Sequence, residues 1–165
     1  MEPSAVHLVS AMTLLHRIED AMRDAMKASD SRRTQTLRMA MSAAHNRRIE
    51  LRRELTDEEV TEVLARQVKQ RRESIEAFRA GDREERAADE EAEAAILTEF
   101  LPEQLAPEEV EALVREAITA TGAASPADLG RVMGRVAPLV KGRADGRAVS
   151  DLVRRLLAER AAAGA

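Results

Sequence analysis

Apolar residues recur at three- and four-residue intervals along nearly the whole chain, and no stretch alternates with the period of two that a strand requires. Leu14, Ile18, Met22 and Met26, with Leu15 and Ala25 broadening the stripe, follow Thr13 as a capping residue and predict a helix over 13–29. Asp30 and Ser31 then read as turn and cap before a second run, Leu37, Met41, Ala44 and Leu51, which predicts a helix over 32–53. "TDEE" at 56–59 is a capping box: the Thr56 hydroxyl can accept from the backbone near Glu59, whose carboxylate can reach back. From there Val60, Val63, Leu64, Val68, Ile75 and Phe78 mark a buried stripe that Gly81 can end in a left-handed cap. "GDREERAADEEAEAAILTEFL" continues as a fourth helix, anchored at its end by Ile96, Leu97, Phe100 and Leu101. Its first half offers only alanines for burial, which predicts the least stable helical segment of the chain.

"LPEQLAPEE" carries two prolines within six residues and reads as a hinge and domain boundary, with Pro107 suited to the first turn of the next helix. A fifth helix is expected over 107–121, stopped by Gly122, and a sixth capped by Ser125-Pro126 with Leu129, Val132, Met133 and Val136 inward. Pro138 should disturb or end the sixth helix. A seventh helix turns Val149, Leu152, Val153, Leu156 and Leu157 inward, and the tail "AAAGA" should fray. The expected fold class is all-α, with an N-terminal four-helix unit over 12–103 and a C-terminal three-helix bundle over 106–160. Residues 1–11 read as a disordered extension, with Met12 as an alternative start to Met1.

Composition narrows the chemistry. Only Phe78 and Phe100 are aromatic, so the core must be built from Leu, Val, Ile, Met and Ala, which suits helix–helix seams. The absence of cysteine excludes disulfides, thiolate metal sites and a Cys nucleophile, and is compatible with a reducing compartment. The first residues lack the basic and long apolar regions of a secretory signal, and no run of eighteen apolar residues occurs, so a cytoplasmic protein with no membrane partner is expected.

The net charge of −4 is unevenly spread. Residues 1–80 hold fifteen Lys/Arg against thirteen Asp/Glu, residues 81–121 three against thirteen, and residues 122–165 eight against four. The three segments therefore carry +2, −10 and +4. Lysine occurs only at Lys27, Lys69 and Lys141.

His7, His16 and His45 are scattered and unpaired at metal-ligand spacing, and they read as surface residues. The carboxylates of "DREERAADEEAE" read as a solvated helix face. No Ser-His-Asp order, Gly-rich phosphate cradle or nucleotide fingerprint is found, so no catalytic residue, metal ligand or cofactor is assigned. The C-terminal cations differ because helical spacing gathers them. Arg131 and Arg135 lie four apart opposite the apolar face of helix six, and Arg147, Arg154 and Arg155 lie opposite that of helix seven. Between them, the loop from Lys141 to Arg147 contains Gly142, Arg143 and Gly146, and could bring backbone N–H groups and the positive end of helix seven to a phosphate. In the plainer reading the glycines only make the turn, Asp145 caps helix seven and the arginines solubilise an exposed face. Too few aromatic side chains are present for base stacking, so a bound nucleic acid would be a structured RNA read by shape and backbone, and DNA is not expected.

The combination of "LPEQL", "DLGRVMG" and "KGRADGR", with "LRMAMSAAHN" and "ELTDEEVTEVLARQVKQRRESIEAFRAGDR" upstream, resembles the GatB/YqeY family over 12–160. The similarity is to a stand-alone YqeY-like protein. It implies an all-helical four-plus-three arrangement and likeness to the tail module of the B subunit of the glutamine-dependent amidotransferase that converts mischarged aspartyl- or glutamyl-tRNA. That tail is assigned to tRNA contact near the outer corner of the molecule, and the matching positions here are Arg131, Arg135, Lys141, Gly142, Arg143, Gly146 and Arg147. The B subunit's catalytic cradle, which handles ATP and Mg²⁺, has no counterpart in the match. The resemblance thus carries a label of carbon–nitrogen ligase with glutamine as amido donor, while the expected function is non-catalytic binding of tRNA or a tRNA-like RNA. The alternative is a protein–protein adaptor for a tRNA synthetase or amidotransferase component.

Overall fold

The computed structural model describes residues 12–164, and every regular element among them is helical. The helices are α1 (Leu14–Lys27), α2 (Ser31–Leu51), α3 (Asp57–Ala80), α4 (Glu84–Thr98), α5 (Pro107–Thr121), α6 (Leu129–Val140) and α7 (Gly146–Ala163), with a single 3₁₀ turn, Pro126–Asp128, before α6. The chain divides into two compact units, Met1–Phe100 and Leu101–Ala165. Helices α1–α4 belong to the first and α5–α7 to the second. The proposed extension over 1–11 lies outside the described residues. Among those described, no helix is long and apolar enough to cross a membrane.

In the first unit the caps follow the local sequence. Thr13 accepts from the His16 N–H at 3.3 Å, Asp30 from the Arg33 N–H at 3.0 Å, and the Thr56–Glu59 capping box is complete. The Leu14 N–H donates to Asp57 Oδ1 at 2.9 Å, which ties the start of α1 to the start of α3. Leu14, Ile18, Leu37, Ala40, Ala44, Val60, Leu64, Val68 and Leu97 are buried.

Met26, expected on the inner stripe of α1, is 53% exposed, whereas Ala25 is buried. A strict four-residue spacing drifts about 40° per step on a 3.6-residue helix, so three steps from Leu14 carry Met26 about 120° off the core-facing line. Gly81 likewise does not take the left-handed cap. Its φ is −97°, and Asp82 adopts φ 54° instead while the Arg83 N–H closes on Phe78 O at 2.8 Å. Aspartate tolerates that region better than most residues.

The acidic face of α4 is not simply solvated. Arg32 reaches Asp89 at 2.6 Å, Arg79 reaches Glu84 at 3.2 Å and Glu91 at 2.7 Å, and Arg71 reaches Glu93 at 2.9 Å. Arg71 is itself buried and also donates to Gln67 Oε1 at 3.3 Å. These pairs set the rotation of α4 against α2 and α3, while the fully buried Leu97, together with Phe100 just beyond the helix, anchors its C-terminal end. A half-exposed pair such as Arg32–Asp89 contributes at most about 1 kcal/mol, against about 1.5–3 kcal/mol for a buried leucine. Apolar burial therefore stabilises this unit more than its ion pairs do.

In the second unit Val110, Val114, Ile118, Val132, Val136, Val140, Val149, Val153, Leu156 and Leu157 form one cluster. Gly122 ends α5 with φ 64°, as its position requires. The entry to α6 differs from expectation: the Ser125 side chain makes no capping bond, and Asp128 Oδ2 instead accepts from the Ala124 and Ser125 N–H groups at 2.8 and 3.2 Å. Pro138 sits inside α6, which continues to Val140. In the final turn it removes only the bond to the Gly134 carbonyl, and packing of Val136 and Val140 outweighs that loss. Residues Ala161–Ala163 remain helical, consistent with the high helix propensity of alanine.

Leu157→Ala should lower stability by about 2–5 kcal/mol, because the fully buried side chain would leave a cavity among valines. Gly134→Ala should raise it by about 1 kcal/mol, since the added methyl meets nothing within 4 Å and glycine is unfavourable inside a helix. Urea unfolding of the intact chain measures both.

Candidate nucleic-acid interface

The loop between α6 and α7 is held by the segment that precedes α5. After Val140 the chain turns through Gly142, whose φ of 71° suits glycine, and the Arg143 and Ala144 N–H groups return to Val140 O at 2.9 and 3.0 Å. Four further bonds join this turn to residues 102–105 or brace that segment against it. The Leu105 N–H donates to Arg143 O at 2.8 Å, Arg143 Nε donates to Glu103 O at 3.1 Å, and Gln104 Nε2 donates to both Pro102 O and Gly142 O at 2.8 Å. The stretch read as a hinge is therefore bonded to the basic loop. Gln104 braces the loop, a role that the sequence pattern does not single out, although the residue sits within the "LPEQL" string; that role depends on a partner 38 positions away in sequence.

The nine residues expected at an RNA surface fall into distinct environments. Arg131, Arg135, Lys141, Gly146, Arg147, Arg154 and Arg155 are exposed, and Gly142 and Arg143 are half-buried in the loop. Three of the arginines pair with a carboxylate three or four residues away: Arg131 with Asp128, Arg154 with Asp151 at 2.8 Å and Arg155 with Glu159 at 3.1 Å. Arg135 and Arg147 have no side-chain hydrogen bond or ion pair among the described residues. Arg143 donates Nε to Glu103 O, which fixes the direction of its guanidinium, and its terminal amino groups make no hydrogen bond among the described residues. Lys141 occupies the C-cap of α6.

At the positive end of α7 the structure agrees with the plainer sequence reading, in which Asp145 caps the helix. Asp145 Oδ1 accepts from the Ala148 N–H at 2.9 Å, so a carboxylate already serves that end and offsets its dipole. Gly146 is the first residue of α7, has no positive φ, and has open space where a Cβ would lie. The turn thus requires glycine at Gly142 but not at Gly146. What the loop offers an anion is cationic side chains rather than a peptide nest.

The family model of the Yqey-like proteins matches residues 15–157. The chain belongs to the Yqey-like protein family. No curated protein matches the sequence. For this Yqey-like chain, the match spans both units and includes the 102–105 segment, the basic loop and most of α7.

The carboxyl of Asp128 is held down at about 2 by the Ala124 N–H, the Arg131 guanidinium and the Ser125 N–H. In the unfolded chain it titrates near 4, so its contribution to stability is complete above about pH 5 and is lost as pH falls toward 2. Asp128→Asn should flatten the acid limb of unit 2, read as a smaller fall in melting temperature between pH 6 and pH 2. Glu59, lowered to about 2 chiefly by Arg53, keeps an acid limb in the first unit.

Proposed function

We propose that this Yqey-like chain is a non-catalytic protein that binds tRNA or a tRNA-like structured RNA through its C-terminal unit. The contact surface comprises the outer faces of α6 and α7 and the loop between them. Arg135 and Arg147 supply its free charge, Arg143 a directed fork and Lys141 a further cation; Arg131, Arg154 and Arg155 exchange their carboxylate partners for phosphates at an energetic cost. The observation that carries this reading is the exposure of Arg135 and Arg147 without a carboxylate partner among the described residues, beside a loop fixed in place. Phosphate contacts position such a complex and make it salt-sensitive, while specificity comes from the shape of the RNA.

Ligase chemistry with glutamine as amido donor belongs, on the resemblance, to a catalytic domain of the longer amidotransferase. In the adaptor alternative the acidic face of α4 or the basic tail docks a partner; Arg32, Arg71 and Arg79 engage four of the carboxylates on that face.

Arg135→Glu/Arg147→Glu should weaken binding of folded tRNA about tenfold or more and reduce the dependence of log affinity on log salt by roughly one per cation lost. These positions are chosen because neither side chain supports the fold. Fluorescence anisotropy with tRNA and a plain RNA duplex at two salt concentrations makes the test. Equal binding to both RNAs, unaffected by the charge reversal, would refute RNA recognition by this surface.

A further inference from the structure

We propose that Gln104 is a positioning residue that sets the presentation of the basic loop and thereby the preference for a folded RNA over a plain duplex; this inference rests on the RNA-binding reading above. The side-chain amide of Gln104 carries two hydrogens. One bonds Pro102 O and the other Gly142 O, both at 2.8 Å, so a single side chain fastens the Pro102–Leu105 segment to the left-handed turn at Gly142. The neighbouring bonds depend on that registration. The Leu105 N–H can meet Arg143 O, and Arg143 Nε can meet Glu103 O, only when the two strands of backbone lie side by side as they do here.

The consequence for recognition is geometric. Arg143 approaches its ligand with Nε already committed, which restricts a long and otherwise mobile side chain to one direction. Lys141 and Arg147 leave the backbone on either side of the same turn. Without the clamp the cations remain but their spacing varies. Charge count governs binding to any polyanion, whereas fixed spacing is what allows one arrangement of phosphates to be preferred over another. The loop contributes selectivity only to the extent that it is held; of the three bonds that join it to residues 102–105 Gln104 makes one, and its second donation, to Pro102 O, braces that segment.

The test uses the full-length chain with Gln104→Leu, which retains bulk and removes both donors, and Gln104→Glu, which retains shape but at neutral pH presents acceptors to two carbonyls. Circular dichroism first verifies that each variant is folded. Amide exchange then reads the clamp without RNA: the Leu105, Arg143 and Ala144 amides should exchange about tenfold faster in both variants, with the amides of Val136 and Val153 unchanged. Anisotropy should show the preference for tRNA over duplex falling at least threefold, while duplex affinity and its salt dependence stay the same in the Leu variant, because no cation has been removed.

Unchanged exchange in the loop overturns the proposal whatever the RNA result. So does an unaltered preference in both variants at a temperature well below melting, which would leave Gln104 a purely structural role. A loss confined to the Glu variant overturns it too, by assigning the effect to the added negative charge. Failure of the unsubstituted protein to prefer tRNA refutes the RNA-binding reading and this role with it; failure of the variants to differ from a protein that does prefer tRNA refutes only the role of Gln104.

Discussion

A core made almost entirely of valine, leucine, isoleucine and alanine is the constraint on which the rest of this structure depends. Short side chains give large stabilisation only when helices approach closely, since each buried group must find neighbours within van der Waals distance. In the C-terminal unit that requirement selects valine for most inward positions of α6 and the first half of α7. With Val140 and Val149 both buried, the intervening residues have little freedom, and their backbone polar groups must be satisfied locally. Residues 102–105 meet part of that need. The basic loop is therefore ordered as a by-product of core packing, before any ligand is considered.

Arginine serves different purposes in the two units. In the first, Arg32, Arg33, Arg71 and Arg79 reach from α2 and α3 to carboxylates on or just beyond α4, turning a strongly acidic segment into part of a packed unit. In the second, the arginine pairs Arg115–Glu111, Arg131–Asp128, Arg154–Asp151 and Arg155–Glu159 are local, three or four residues apart. A local pair on an exposed face yields its carboxylate partner without moving a helix. A pair that joins helices does not yield so readily, because exchange would disturb packing; Arg71, buried and bonded to both Glu93 and Gln67, is the extreme case. The local pairs of the C-terminal unit thus exchange partners more readily than the pairs that join α2 and α3 to α4 and its end.

Much of the architecture is legible in the periodicity. Starts and stops that depend on nearest neighbours lie where expected: the Thr56 capping box, Pro107 at the first turn of α5 and Gly122 at its end. Expectation and structure part where several local solutions compete. Asp82 rather than Gly81 takes the left-handed position, Asp128 rather than Ser125 caps the turn before α6, and Pro138 is accommodated within α6. Of the candidate site, the exposed arginines can be placed from helical spacing, but which of them remain free cannot, since that depends on side-chain geometry at Asp128, Asp151 and Glu159.

The sequence by itself determined the helical class, the approximate extent of seven helices, the absence of thiol chemistry and the accumulation of cations after residue 122, because each follows from residue type and short-range spacing. Tertiary structure alone decided that α4 is bound by arginines from other helices and that Gln104 bridges Pro102 and Gly142. The physical reason is range. Helix propensity and capping act over a few residues, whereas an ion pair between helices or a hydrogen bond spanning 38 positions exists only once packing has brought both partners to one place.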